Sequence, residues 1–261
     1  MSRFIDKLNQ VIQAVPQPVG FRAVQSVSPR PRMLVVASLV EADVKGLADY
    51  VAGADAGLLP MSELSSGAKS LQKISKAVSG IPWGAWLRDN DGEGIKQIAK
   101  AGCDFVVFSA ANTSLAMLQG DEWGKILQVE ASVGEGLLRA VDELPVDAVL
   151  IGGEPEEQHL LTWHDLMVFQ YFATLLTKPL LVCVPSSVTD NELQALGEAG
   201  VNGVIVGVGG GQPAERISEL RNTIDKLVFP LQHRRRKAGA LLPRITEETS
   251  IVTEEEEEEE E

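Results

Sequence analysis

The sequence predicts one α/β domain, a single (β/α)8 TIM barrel preceded by a helix and followed by a charged tail, and three observations lead there. Eight short apolar, β-branched runs alternate with stretches of helical period between residues 32 and 228, as strands alternate with crossover helices. Most of the runs are continuously apolar, as parallel strands covered on both faces must be. Eight such units fit into roughly 200 residues, the lower end of the range for these barrels. A doubly wound open sheet is the alternative. It is disfavoured because no GxGxxG follows the first run and because eight equal units close naturally.

Residues 1–31 form the first segment. Phe4, Ile5, Leu8, Val11, Ile12 and Val15 make a helical stripe that Pro16 ends, predicting a helix that packs on the barrel, with a subunit contact as the alternative. The barrel, 32–228, has its candidate strands at 33–38 (MLVVAS), 55–60 (DAGLLP), 83–88 (WGAWLR), 104–109 (DFVVFS), 126–131 (ILQVEA), 147–152 (DAVLIG), 179–184 (PLLVCV) and 203–208 (GVIVGV). Thr162 with Asp165, and Thr189 with Glu192, have capping-box spacing and mark two helix starts. Pro213 suits the first turn of the last helix. Gly102 and Gly200 recur in one phrase, AGCDFVVF and AGVNGVIV, where a helix ends on a left-handed residue just before a strand. The segment 229–261 runs from HRRRK through ALLPRITEETSIVT to polyglutamate. It has too little apolar material for a core and too many adjacent like charges to compact, so it reads as a mobile tail.

With 261 residues, 44% hydrophobic and 23% charged, the chain has enough apolar material for a folded domain. No apolar run reaches the ~20 residues of a membrane span, and the first residues lack a signal-peptide pattern. A soluble cytoplasmic protein is expected. Of the net charge of −14, eight units belong to Glu254–Glu261, leaving −6 for the rest. The balance argues against nucleic-acid or membrane partners. Cys103 and Cys183 lie in apolar stretches without a CxxC neighbour, so both are expected to be buried thiols rather than a disulfide or a zinc site.

Reacting groups in such a barrel come from strand carboxyl ends and the loops after them. There the sequence offers Ser38, Arg88, Asp89, Ser109, Asn112, Gln128, Glu130, Glu154, Ser186, Ser187 and the run GVGGG at 207–211. No lysine ends a strand, so a Schiff-base mechanism lacks its nucleophile. Glu130 and Glu154 end neighbouring strands, and two carboxylates at one mouth are best reconciled by a hard cation, Mg2+ or Mn2+. Arg88 would then hold a substrate carboxylate in a bidentate manner. The alternative is a structural Arg88–Glu130 ion pair, with Glu154 in solvent. Gly209 and Gly210, leading into a helix start, offer backbone N–H groups to an anion, or simply permit a tight turn. His159 is placed to act as an acid or base at the mouth, or else is solvated.

Two stretches carry a family resemblance: LRDNDGEGIKQIAKAGCDFVVFSAANT (87–113) and ILQVEASVGEGLLRAVDELPVDAVLIGGEP (126–155). They resemble the HpcH/HpaI-type class II aldolases and citrate lyase β-subunits, which are phosphoenolpyruvate/pyruvate-binding barrels. Arg88, Asn90-Asp91, Ile95-Lys96, Gln128-Val129-Glu130 and Asp147 to Gly152 stand at the matching places. The resemblance implies a divalent metal on Glu130, with Arg88 on the carboxylate and carbonyl oxygen of a pyruvate-like substrate. The chain diverges after the second strand, where LLPMSELSSG replaces the family's acidic residue and catalytic histidine. It diverges again after the sixth, where Glu154 is displaced from the usual aspartate.

Two functions follow as expectations. One is a metal-assisted carbon–carbon lyase or aldolase-like enzyme acting on a small keto acid or phosphorylated acid, with Arg88 and His159 catalytic, Gln128, Ser186, Gly209 and Gly210 on the substrate, and Glu130 and Glu154 on the metal. The other is a non-catalytic barrel that binds or assembles through its tail. The partners expected are a small anionic substrate and a second copy in a homo-oligomer; the aromatic stretch WHDLMVFQYF is expected to pack a helix against the barrel, with a subunit contact as the alternative. Deleting residues 238–261 is expected to leave the melting temperature within about 2 °C of the parent, because the segment supplies no core; calorimetry of the two chains checks this.

Overall fold

The structure, a computed structural model, describes residues 2–12, 33–39, 46–61, 64–88, 98, 100–115, 123–153, 160–209 and 215–227. Its strands are β1 Leu34–Leu39, β2 Ala56–Met61, β3 Trp83–Leu87, β4 Phe105–Ser109, β5 Gly124–Val129, β6 Ala148–Ile151, β7 Leu180–Val184 and β8 Gly203–Val208. They pair in parallel in chain order and close, β8 on β1, into one barrel. The helices are α1 Arg3–Ile12, α2 Leu47–Tyr50, α3 Leu64–Ala77, α4 Glu135–Glu143, α5 Trp163–Leu175, α6 Asp190–Ala199 and α7 Arg216–Lys226. Every expected strand is present. The fifth differs most, starting two residues early because Gly124 and Lys125 pair with Phe105 and Val106. Pairing across the sheet overrides the poor strand preference of glycine and lysine there. No helix among the described residues is long and apolar enough to cross a membrane. The tail expected at 229–261 and the proline at 213 lie outside the described residues.

The continuous apolar strands divide their side chains by the period of two. Val35, Ala37, Val106, Val149, Val182, Val204 and Val206 point outward and pack with Leu71, Leu138, Phe172, Leu193, Leu196, Ile217 and Leu220 of the helices. Leu34, Val36, Leu58, Trp86, Phe105, Val107, Ile126, Leu150, Leu181 and Ile205 fill the interior. Both predicted capping boxes form, Thr162 with Asp165 and Thr189 with Glu192. Gly102 and Gly200 take the left-handed conformation expected of them.

Phe4, Ile5 and Leu8 of α1 belong to the interior cluster, not to the outer layer. The N-terminal helix therefore closes the barrel at the amino ends of the strands. Its place is made by glycine: a β-carbon on Gly124 would overlap the Ile5 side chain, and one on Gly84 would overlap the Phe105 ring. That ring meets Phe4 at a centroid distance of 4.5 Å.

A recurrent residue at the amino ends holds this floor. Asp55, Asp147 and Asn202 each donate the backbone N–H to a carbonyl on the preceding strand (Val35, Lys125 and Leu180, all 2.8 Å). Each then accepts, through a side-chain oxygen, the N–H of that same residue at 2.8–2.9 Å. Asp104 makes the backbone half of the arrangement, to Trp83 at 2.8 Å, but turns its carboxylate to α1. It accepts from Ser2 Oγ at 2.7 Å, Arg3 N–H at 2.8 Å and Phe4 N–H at 2.9 Å. Ser2 Oγ in turn accepts from Ile5 N–H at 3.2 Å. The first three amides of α1, which have no partner within the helix, are thus all satisfied, with an anion at the positive end of the helix dipole.

Asp104→Ala is expected to cost about 1–2 kcal/mol in urea unfolding, the range for a lost helix cap. Gly124→Val, which wedges α1 off the floor, is expected to cost more.

Candidate functional site

At the carboxyl ends the interior changes from apolar to polar. The residues continuing the inward register are Ser38 on β1, Pro60 on β2, Arg88 after β3, Ser109 on β4, Gln128 on β5, Gly152 after β6, Cys183 on β7 and Gly207 on β8. The change of character is made by one side chain. Gln128 accepts from the indole N–H of Trp86 at 3.0 Å and donates to the Gly152 carbonyl at 2.8 Å. An indole N–H only donates and a carbonyl only accepts, so the amide orientation is dictated by its partners. Gln128 spans from β3 across to the end of β6 and roofs the apolar interior. Expected as a substrate contact, it has both ends of its amide engaged within the protein.

The mouth above this roof has two unlike halves. On one side Gly152, Cys183, Gly207 and Ser38, at the ends of β6, β7, β8 and β1, are all small. On the other side stand Arg88, Ser109 and Glu130, polar and reaching solvent in part or wholly. Ser38 is buried and sits opposite Gly207 in the β1–β8 register. Gly209, one residue past β8, is buried with φ +106°, a left-handed turn that a side chain would strain. The Glu130 carboxylate accepts from Ser132 Oγ at 3.2 Å. Ser186 follows β7 in a loop anchored by Arg216, whose Nε donates to the Ser186 carbonyl at 2.6 Å and whose guanidinium donates to the Val188 carbonyl at 2.7 Å. Arg216 thereby ties that loop to the start of α7, just beyond the glycine run.

Arg88, Gln128, Glu130, Ser186 and Gly209 thus all lie at the carboxyl ends of β3, β5, β7 and β8. Glu154, His159 and Gly210 lie outside the described residues. Among the described residues no three His, Cys, Asp or Glu side chains cluster so as to hold a metal ion. With Glu130 the single proposed ligand among them, the described residues do not make up the donor set for Mg2+ or Mn2+. Cys103 is buried away from the mouth, its Sγ donating to the Phe105 carbonyl at 3.0 Å. Burial pushes its thiol up to about 12, so it is an inert core residue. Cys183 is half-buried at the mouth. Arg216 escaped the sequence reading because its partners are backbone carbonyls thirty residues away, which leave no pattern in the chain. The Asp and Asn residues of the floor did leave one: Asp55, Asp104 and Asn202 each stand two residues after an Ala-Gly pair.

No protein-family model matches the chain, and no curated protein matches it in sequence. Solved structures resemble it in fold. Orotidine 5′-phosphate decarboxylase from Pyrococcus horikoshii is 15% identical with a TM-score of 0.55, over 73% of this chain and 99% of that one. A tryptophan synthase α-subunit from Pyrococcus furiosus is 11% identical with a TM-score of 0.56, over 74% and 97%. Thiamine phosphate pyrophosphorylase from Pyrococcus furiosus is 11% identical with a TM-score of 0.55, over 75% and 96%. At these identities the likeness establishes the (β/α)8 fold and nothing finer.

Gln128→Leu leaves the buried Trp86 N–H and the Gly152 carbonyl without partners. It is expected to destabilise the barrel by about 2–6 kcal/mol in denaturant unfolding, at about 1–3 kcal/mol for each unsatisfied group.

Proposed function

We propose that the mouth binds a small anionic substrate, a keto acid or a phosphorylated acid, and acts on it as a carbon–carbon lyase of the class II aldolase type. The observation that carries this reading is the division of the mouth. The small residues Gly152, Cys183, Gly207 and Ser38 end one half of the strands, and Arg88, Ser109 and Glu130 end the other. Such a mouth would admit a compact ligand beside one guanidinium. Arg88 would take the substrate carboxylate through paired N–H groups and offset the negative charge that develops on the adjacent carbonyl oxygen as the bond breaks. The left-handed turn at Gly209, with Gly210 after it, would bring backbone N–H groups to a phosphate. Two of the fold neighbours are named for phosphorylated compounds and one of them for a decarboxylation, which supports an anionic substrate without identifying it.

His159 is the proposed acid–base group. Mg2+ or Mn2+ on Glu130 and Glu154, as the aldolase resemblance implies, would polarise the keto oxygen when bound; no part of the binding scheme above requires it. The second reading, a barrel that binds without catalysing, is favoured by Gln128. At the place where the aldolases carry the Q-x-E motif, this chain holds its amide on Trp86 and Gly152.

Calorimetric titration with pyruvate, oxaloacetate and inorganic phosphate, with and without Mg2+, tests the proposal. Arg88→Ala is expected to weaken keto-acid binding about 10- to 100-fold, as loss of a charge-assisted pair should, and to abolish cleavage of oxaloacetate. Binding without cleavage selects the second reading. Mg2+ that fails to raise the melting temperature of the parent, or raises it equally in Glu130→Gln, removes the metal from the scheme.

A further inference from the structure

Helix α5 is apolar on two opposite sides. Phe169 and Phe172 are buried against the barrel. Away from it, Trp163 (83% exposed), Met167 (67%) and Tyr171 (42%) recur every four residues in one row, which Leu160 (78%) continues beyond the N-terminus. A surface helix is ordinarily polar on the side away from its core. Leu115, Leu137 and Leu144, the other exposed large apolar side chains among the described residues, fall in other elements, apart from this row.

Beside the row, between the N-terminal halves of α5 and α6, runs a groove of about 680 Å3 walled by Leu160, Leu161, Trp163, Leu166, Phe169 and Leu196. Most of the polar groups on its rim are already partnered. Thr162 holds Asp165 at 2.8 Å, and Thr189 holds Glu192, also at 2.8 Å. The two capping boxes leave the groove dry in character, with little to offer a polar ligand.

We propose that this face is a two-fold interface between two copies of the chain. A two-fold contact uses one patch on both partners, so the patch must carry a protrusion and the recess that receives it. Here the row is the protrusion and the groove is the recess beside it. Where the two-fold axis crosses the patch a group meets its own copy, so a charge there would meet a like charge, and one seated in the groove would lose its water. Leu160, Trp163, Met167 and Tyr171 carry none. Area agrees as well: the row presents on the order of 500 Å2 to solvent, given 150–250 Å2 for a large aromatic side chain. That is more than half of the roughly 800 Å2 that each partner gives to a standard interface, and the groove walls supply the remainder.

Sedimentation equilibrium of the full chain between about 1 and 100 μM tests this. The parent is expected at twice the chain mass of 28.1 kDa. The double variant Trp163→Glu/Met167→Glu is expected at the single-chain mass throughout, its dissociation constant raised at least 100-fold, with unchanged far-UV circular dichroism. Both sites are exposed, and glutamate suits the first turn of a helix. Trp163→Phe/Met167→Leu is expected to remain a dimer. A parent that is monomeric across the range overturns the proposal, and so does a charged double variant that still dimerises. A monomeric parent that the double variant destabilises would assign the face to another segment of the same chain, which also overturns it.

Discussion

A barrel of eight parallel strands has to be filled along its axis, and in this protein the filling at the amino end comes from outside the barrel. Gly124 leaves room on β5 for Ile5, Gly84 leaves room on β3 for the Phe105 ring, and Phe4 and Leu8 of α1 join them in the interior. The helix start is capped by one carboxylate, and Lys7 further along donates to the Asp55 carbonyl at 2.9 Å. Asp104 stands where three other strands carry an Asp or Asn that ties its own strand to the one before, and it gives up that second bond to cap α1. A helix of ten residues is marginal in isolation. Its stability comes from the interior it enters, and the interior close-packs because the helix is there.

The same economy of partners governs the opposite end. The apolar interior stops at Trp86, whose indole needs an acceptor, and Gln128 supplies it while reaching the Gly152 carbonyl. Everything above that bridge is small or polar. The floor and the roof are therefore parts of one construction: α1 closes the barrel below and Gln128 closes it above. A residue type that in the aldolases marks the catalytic strand here does structural work first.

The outer surface follows a different constraint. Most of the strands' outward side chains are met by helices that bury one face and wet the other, whereas α5 is apolar on both. One capping box at the start of α5 and one at the start of α6 leave Thr162, Asp165, Thr189 and Glu192 partnered. That face lies on the outside of the barrel, so the proposed assembly and the proposed ligand site use separate surfaces.

Much of this was legible in the chain, for local reasons. The eight strands, the barrel, both capping boxes and the helical stripe at Phe4, Ile5 and Leu8 follow from hydrophobic period and from residue types with fixed backbone preferences. The positions of Arg88, Gln128 and Glu130 at strand ends follow from the same period of two. What the period does not carry is which of two apolar faces meets which neighbour. That α1 enters the barrel instead of lying on it depends on glycines eighty and a hundred and twenty residues further along. That Gln128 holds Trp86, that Arg216 holds the loop after β7, and that Asp104 caps the start of α1 are pairings between groups distant in sequence. They arise only when closure of the sheet brings those groups within hydrogen-bonding distance. The sequence by itself determined the barrel and the composition of its mouth; the tertiary structure decided which of those polar groups serve the fold, because a buried hydrogen-bonding group must be partnered and only closure of the sheet brings Gln128 to Trp86 and Arg216 to the loop after β7.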